Sequence, residues 1–139
     1  MDASANIDTI QIEEMGAGTD EISIWVSLGF KSEISPFDVL FVVCGKKMSE
    51  QQIQHGCDSL YYERFDQGMS CHSGADSIKL EPAAITIHFT ALGIKRMKFS
   101  ETVRFDASAV PEQFAKVCKN LRVMKNYPWG SIVVDLEGR

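Results

Sequence analysis

"EISIWVSLGF", residues 21–30, decides how the rest of the chain is read. Ile22, Ile24, Val26 and Leu28 fall on one parity, Glu21, Ser23, Trp25 and Ser27 on the other. A pleated strand sends successive side chains to opposite faces, so this alternation describes a strand with one side in a core and one towards water. Upstream, "IDTIQIEE" (7–14) is a second strand, and the two glycines of "MGAGTD" (15–20) suit a tight connection. The two segments together form an antiparallel hairpin. Downstream, "SPFDVLFVVCG" (35–45) is apolar at nearly every position from Phe37 to Cys44, with Asp38 the interruption. A strand covered on both faces reads this way, which places it centrally in a sheet.

Further along, "KKMSEQQIQHG" (46–56) allows one helical turn after Ser49, ended by Gly56. "DSLYYERF" (58–65) and "DSIKLE" (76–81) are strands flanking a polar stretch. In "AAITIHFTAL" (83–92), Ile85, Ile87 and Phe89 point inward and Thr86, His88 and Thr90 outward. "KRMKFSETVRFD" (95–106) repeats the pattern, with Met97, Phe99, Val103 and Phe105 on one parity, and Leu92–Gly93 marks a turn or bulge before it. One segment has helical period instead. Over 108–126, Phe114, Val117, Cys118, Leu121 and Met124 make one apolar stripe, Ser108 or its successors cap the start, and Pro111 and Glu112 occupy the first turn. Residues 132–136 supply an edge strand. The expectation is a single α+β domain over 1–139: a mostly antiparallel sheet with one main amphipathic C-terminal helix on one face.

A chain of 139 residues, 45% hydrophobic and 24% charged, can bury a core without staples. Its longest apolar run is about half of what a bilayer crossing needs. "MDASANID" has neither the basic start nor the apolar centre of an export signal, so a cytoplasmic location with free thiols at Cys44, Cys57, Cys71 and Cys118 is expected. The net charge of −5 disfavours nucleic acid as a partner and allows an acidic surface for a basic protein.

The chemistry-bearing residues gather in "YYERFDQGMSCHSGADSIKLE" (61–81). His55, Cys57, Cys71 and His72 could supply four zinc ligands, but they come as His-Gly-Cys and an adjacent Cys-His pair rather than with the spacings by which one loop presents two ligands. Cys71, His72 and Asp76 resemble a thiol triad only in composition, because neighbouring strand residues face opposite ways. Glu63 and Asp66 are two acids of a kind common on solvated surfaces, and "GAG" at 16–18 is too short for a phosphate loop. No cofactor is implied. The remaining reading is a recognition surface. Trp25, Tyr61, Tyr62, Arg64 and Tyr127 are interface-anchoring types, and Glu63, Asp66, Asp76 and Glu81 would steer a basic partner. The contact residues expected are Tyr62, Glu63, Asp66, Gln67, His72 and Asp76.

These features carry a resemblance. The core "YYERFDQ…G…SIKL", then "AITIHF", "ALG", "VRFD" and the amphipathic helix, resembles the tenth immunity-protein family of bacterial polymorphic toxin systems. The likeness runs from 57 to 125, about half the chain; residues 1–55 and the tail after Asn126 lie outside it. It implies a cytosolic, non-enzymatic antitoxin that binds a cognate toxin domain and blocks its active site or substrate access. A small metal- or thiol-dependent enzyme centred on Cys71 and His72, and a small-ligand or self-association module using the sheet face as a homo-oligomer would, are the alternatives.

Overall fold

The computed structural model describes residues 7–54 and 59–136. It is a mixed α+β fold with nine strands among the described residues. In chain order they are β1 (Ile7–Thr19), β2 (Ser23–Phe30), β3 (Asp38–Gly45), β4 (Tyr61–Arg64), β5 (Ser70–His72), β6 (Ala75–Glu81), β7 (Ala84–Phe89), β8 (Thr102–Asp106) and β9 (Val133–Asp135). The helices are α1 (Glu50–Gln54), α2 (Ala91–Met97) and α3 (Pro111–Met124). The strands form one sheet in the order β5-β4-β3-β2-β1-β8-β7-β6-β9. Only β1–β8 and β6–β9 pair in parallel.

β1 is the spine. Its first residues, Ile7 to Gln11, pair with β8, and from Ile12 onward it pairs with β2. A register irregularity between Ile12 and Glu14 marks the switch, and such a bulge bends a strand and increases its twist. Coiling is required by the connections as well. Seven strand spacings of about 4.8 Å would put β5 about 34 Å from β6 in a flat sheet. The chain from residue 72 to 75 spans at most about 11 Å. The sheet therefore curls until β5 meets the far half, and α2 packs between β5 and β7 at that seam. Gly74 accepts the Thr90 N–H there at 2.9 Å, and Gly93 approaches so closely that a Cβ would sit 2.0 Å from the Gly74 carbonyl oxygen.

The concave side holds one core, into which every long strand sends alternate residues: Ile24, Val26, Leu28 and Phe30 from β2, Leu40, Val42 and Cys44 from β3, Ile85, Ile87 and Phe89 from β7. α3 lies against β1, β2 and β9 and adds Val117, Cys118, Leu121 and Met124. Phe30, Phe89, Phe99 and Phe105 make an aromatic cluster with ring centroids 4.8–6.1 Å apart. The Arg64 guanidinium stacks 4.0 Å from the Phe99 centroid. Its Nε and Nη2 donate to Asp38 Oδ2 at 3.1 and 2.9 Å, and its Nη1 donates to the Met97 and Lys98 carbonyls at 2.9 and 3.2 Å.

Several expectations change. Residues 15–19 continue β1, and the turn falls at Asp20, whose carboxylate accepts the Ile22 and Ser23 N–H groups. Residues 91–97 form α2 rather than a strand end, a turn at Leu92–Gly93 and a new strand from 95: Thr90 caps it by accepting the Gly93 N–H, and Lys98 closes it in the left-handed conformation. Met97 and Phe99 still reach the core, from a helix and a link. The polar stretch contains a third strand, β5, hairpinned onto β4. α3 is capped by Val110, among the residues just after Ser108 expected to do so, but with no side-chain bond there. The short helix after Ser49 is present as α1, while its expected end at Gly56 lies outside the described residues. No helix among the described residues is long and apolar enough to cross a membrane.

Candidate functional site

The convex side of the sheet divides into two unlike surfaces. On β6, β7 and β8 it is polar. His88 Nδ1 meets Asp76 at 2.8 Å, Arg104 meets Glu81 at 3.4 Å, and Thr86 donates to Glu81. On β2, β3 and β4 it is apolar and half-exposed. Strand register arranges it in rows: Gly18–Trp25–Val43–Tyr61–His72, then Gly16–Ser27–Phe41–Glu63–Ser70, then Glu14–Gly29–Val39. Val39, Phe41 and Val43 are the outward half of the strand expected to be covered on both faces. That expectation is corrected: β3 is interior to the sheet, yet only its Asp38, Leu40, Val42 and Cys44 parity is buried.

Two clefts open on this face at opposite ends of β3. One, of about 720 Å³, lies among Ile22, Val43, Lys47, Gln52, Tyr61 and His72. The other, of about 470 Å³, lies among Glu13, Glu14, Gly29, Phe37, Val39 and Phe41. The Trp25 indole lies over Gly18, where a Cβ would fall 2.3 Å from Cζ2. Glycine at this position is thus what lets the ring lie flat on β1. Tyr61 donates to Glu63 at 2.9 Å and its ring tilts against His72 at 5.2 Å. Burial, reinforced by the Glu63 carboxylate beside it, holds the Tyr61 hydroxyl above its ordinary pKa, so it remains a donor at neutral pH.

The expected contact residues do not all belong to this face. Glu63 and His72 lie on it. Asp66 and Gln67 are exposed at the tip of the β4–β5 hairpin, where Asp66 Oδ1 accepts the Gly68 N–H at 2.8 Å. Asp76 is exposed on the polar surface beside His88. Tyr62 is corrected outright: it is 0% exposed, pointing into the core, and burial raises its hydroxyl pKa far above the usual value. Arg64, 5% exposed, is likewise a core residue, held by Asp38. Of this adjacent pair, Tyr61 is the one at the surface.

The chemical alternatives find little geometry. Cys71 faces inward against Tyr62 and Met97, as the atoms around Gly74 show, while His72 faces outward. Burial raises the Cys71 thiol pKa, with Arg96 opposing weakly, so the thiolate is disfavoured. No three His, Cys, Asp or Glu side chains among the described residues converge as metal ligands; His55 and Cys57 lie outside them.

The outward phenylalanines were missed in the sequence, although their signal was there. An apolar run on both parities describes either double coverage or one face left open to a partner. Comparison with protein-family models, curated proteins and solved structures finds no match to this chain.

Proposed function

We propose that the chain is a binding protein that acts as an immunity protein, neutralising a toxin domain by stoichiometric occlusion through the convex face of β2–β4. The observation that carries this reading is the contrast between the two halves of one convex surface. Water-facing strands ordinarily carry polar residues at outward positions, as β6–β8 do here. Trp25, Val39, Phe41, Val43 and Tyr61 instead form a contiguous apolar strip flanked by Glu14, Glu21 and Glu63. Apolar patches with polar rims are characteristic of docking sites, and aromatic residues concentrate the binding energy. The resemblance of residues 57–125 to the tenth immunity family supplies the class of partner. Catalysis is not part of the proposal.

The test is co-expression with a toxin domain encoded immediately beside this chain, followed by titration calorimetry of the purified pair. One-to-one binding at nanomolar affinity and rescued growth are expected. Undiminished toxicity with both proteins folded and expressed would overturn the assignment.

The 720 Å³ cleft favours a second reading, a small-ligand site between Tyr61, His72, Gln52 and Lys47. A thermal-shift screen of metabolites tests it, and a hit abolished by Tyr61→Ala would support it.

A further inference from the structure

One end of the convex face carries aromatic side chains that the fold itself does not use. Phe37, immediately before β3, is 86% exposed, and Phe65, immediately after β4, is 44% exposed. Neither belongs to the core cluster. Phe37 shares the parity of Val39 and Phe41, and all three line the 470 Å³ cleft. Phe65 lies beside Val39, whose carbonyl accepts its N–H at 2.9 Å.

Phe65 is also strained. Its φ of 64° is in the left-handed region, where a Cβ crowds the residue's own backbone and glycine would rest easily. The hairpin imposes that conformation. The Arg64 N–H donates to the Met69 carbonyl at 2.9 Å, the Met69 N–H to the Asp66 carbonyl at 3.0 Å and the Asp66 N–H to the Arg64 carbonyl at 2.7 Å, so the chain must turn at residue 65. A chain optimised only for folding would be better served by glycine there and by a polar residue at 37.

The charges around this end are mostly of one sign. Glu13 and Glu14 line the cleft, Glu63 pairs across from Phe41, and Asp66 follows Phe65. Lys31 is the nearby base, and it already reaches Glu13 at 3.7 Å. The acidic excess belongs to the part of the chain that builds this end: residues 1–90 hold fourteen acidic and five basic side chains, whereas residues 91–139 hold five and nine. Face-to-face pairing of two copies would bring Glu14 and Glu63 of each against the other as water is expelled, and like charges so placed repel strongly. An anionic membrane is disfavoured on the same ground.

We infer that Phe37 and Phe65 are the anchors of the docking face, and that they insert into an apolar recess on a protein partner whose surrounding surface is basic. The inference rests on the reading of this face as a docking surface and names the chemistry of its occupant. Burial of the two rings supplies affinity, and the acids supply orientation and encounter rate.

The test needs no knowledge of the partner. A random peptide library displayed on phage is selected against the immobilised chain. The expected winners combine Lys or Arg with aliphatic or aromatic residues, and bind Phe37→Ala and Phe65→Gly on the order of tenfold or more weakly. Phe65→Gly should at the same time unfold at higher denaturant than the parent, a combination that a structural role for the ring would not produce. Failure to enrich any peptide, enrichment of sequences lacking basic residues, equal binding by the variants, or a destabilised Phe65→Gly would each overturn the inference. The two readings fail separately. If Phe37→Ala and Phe65→Gly neutralise the neighbouring toxin domain as well as the parent does, the anchors fall and the immunity function stands. If basic peptides bind at the anchors but the toxin is not neutralised, the reverse holds.

Discussion

Asp38 and Arg64 show what a single residue pair does in this molecule. The Asp38 carboxylate accepts from Arg64, from Ser32 Oγ at 2.5 Å and from the Val39 N–H at 2.8 Å, so little of its hydrogen-bonding capacity is left unmet. Arg64 in turn ties β4 to the end of α2 through two carbonyls. Because both groups are out of water, loss of one partner leaves the other charged and uncompensated. Asp38→Ala should therefore lower unfolding free energy in urea by about 3–5 kcal/mol, and adding Arg64→Met should restore part of the loss. Tyr62 makes the opposite case. Its buried hydroxyl has no hydrogen-bond partner among the described residues. Tyr62→Phe removes a desolvated group and keeps the ring, so stability should be unchanged or higher by about 1 kcal/mol in the same measurement.

At the scale of elements, α2 and the two Asp-capped turns are the informative cases. α2 approaches the β5–β6 link with Gly93 against the Gly74 carbonyl. A methyl group at 93 meets backbone that cannot move without opening the seam, so Gly93→Ala should destabilise by about 3 kcal/mol, the upper end of overpacking effects. The turns predict a pH dependence. Bonds from the Ile22 and Ser23 N–H groups lower the Asp20 pKa, and the bond from Ser108 N–H lowers that of Asp106. A carboxyl that is more acidic when folded stabilises the fold fully above its unfolded value of about 3.9, and that contribution is lost as pH falls through the lower, folded value. Thermal unfolding followed downward from about pH 5 should show this fall, and Asp20→Ala with Asp106→Ala should make the slope below about pH 4 shallower.

For the whole molecule, the convex face joins an apolar strip to an acidic margin, while on the later part of the chain α3 carries Lys116, Lys119 and Arg122 and ends at Lys125, its C-cap. Exposed charges of this kind act at a distance of about 8 Å at physiological salt. Association with a basic partner should then slow as ionic strength rises, with dissociation much less affected. Glu14→Lys and Glu63→Lys should each weaken binding by more than about 1 kcal/mol without altering the unfolding transition, read by surface plasmon resonance and circular dichroism. Glu63 is a better choice than Asp66 for this purpose, since the Asp66 carboxylate also closes its hairpin turn.

Local periodicity was enough for the fold class, the β1–β2 hairpin, β7 and α3, because these elements bury a single face and the pattern of burial is written in the spacing of Ile24, Val26 and Leu28 or of Val117, Leu121 and Met124. Where a short apolar pattern fits both periods it failed: Ile94 and Met97 are a helical pair in α2, yet Met97 also matches the parity of Phe99 and Val103. The candidate site was less legible still. Alternation separates Tyr61 from Tyr62 but cannot say which parity is inside, since that depends on pairing with β3, where Val42 is opposite Tyr62 and Val43 opposite Tyr61. Nor does an apolar run declare whether its second face is covered. Only the coiling of the sheet, which turns one side of β3 towards the core and leaves the other to solvent, decides that Val39, Phe41 and Phe37 are surface residues, because burial belongs to the assembled layers and not to any one strand.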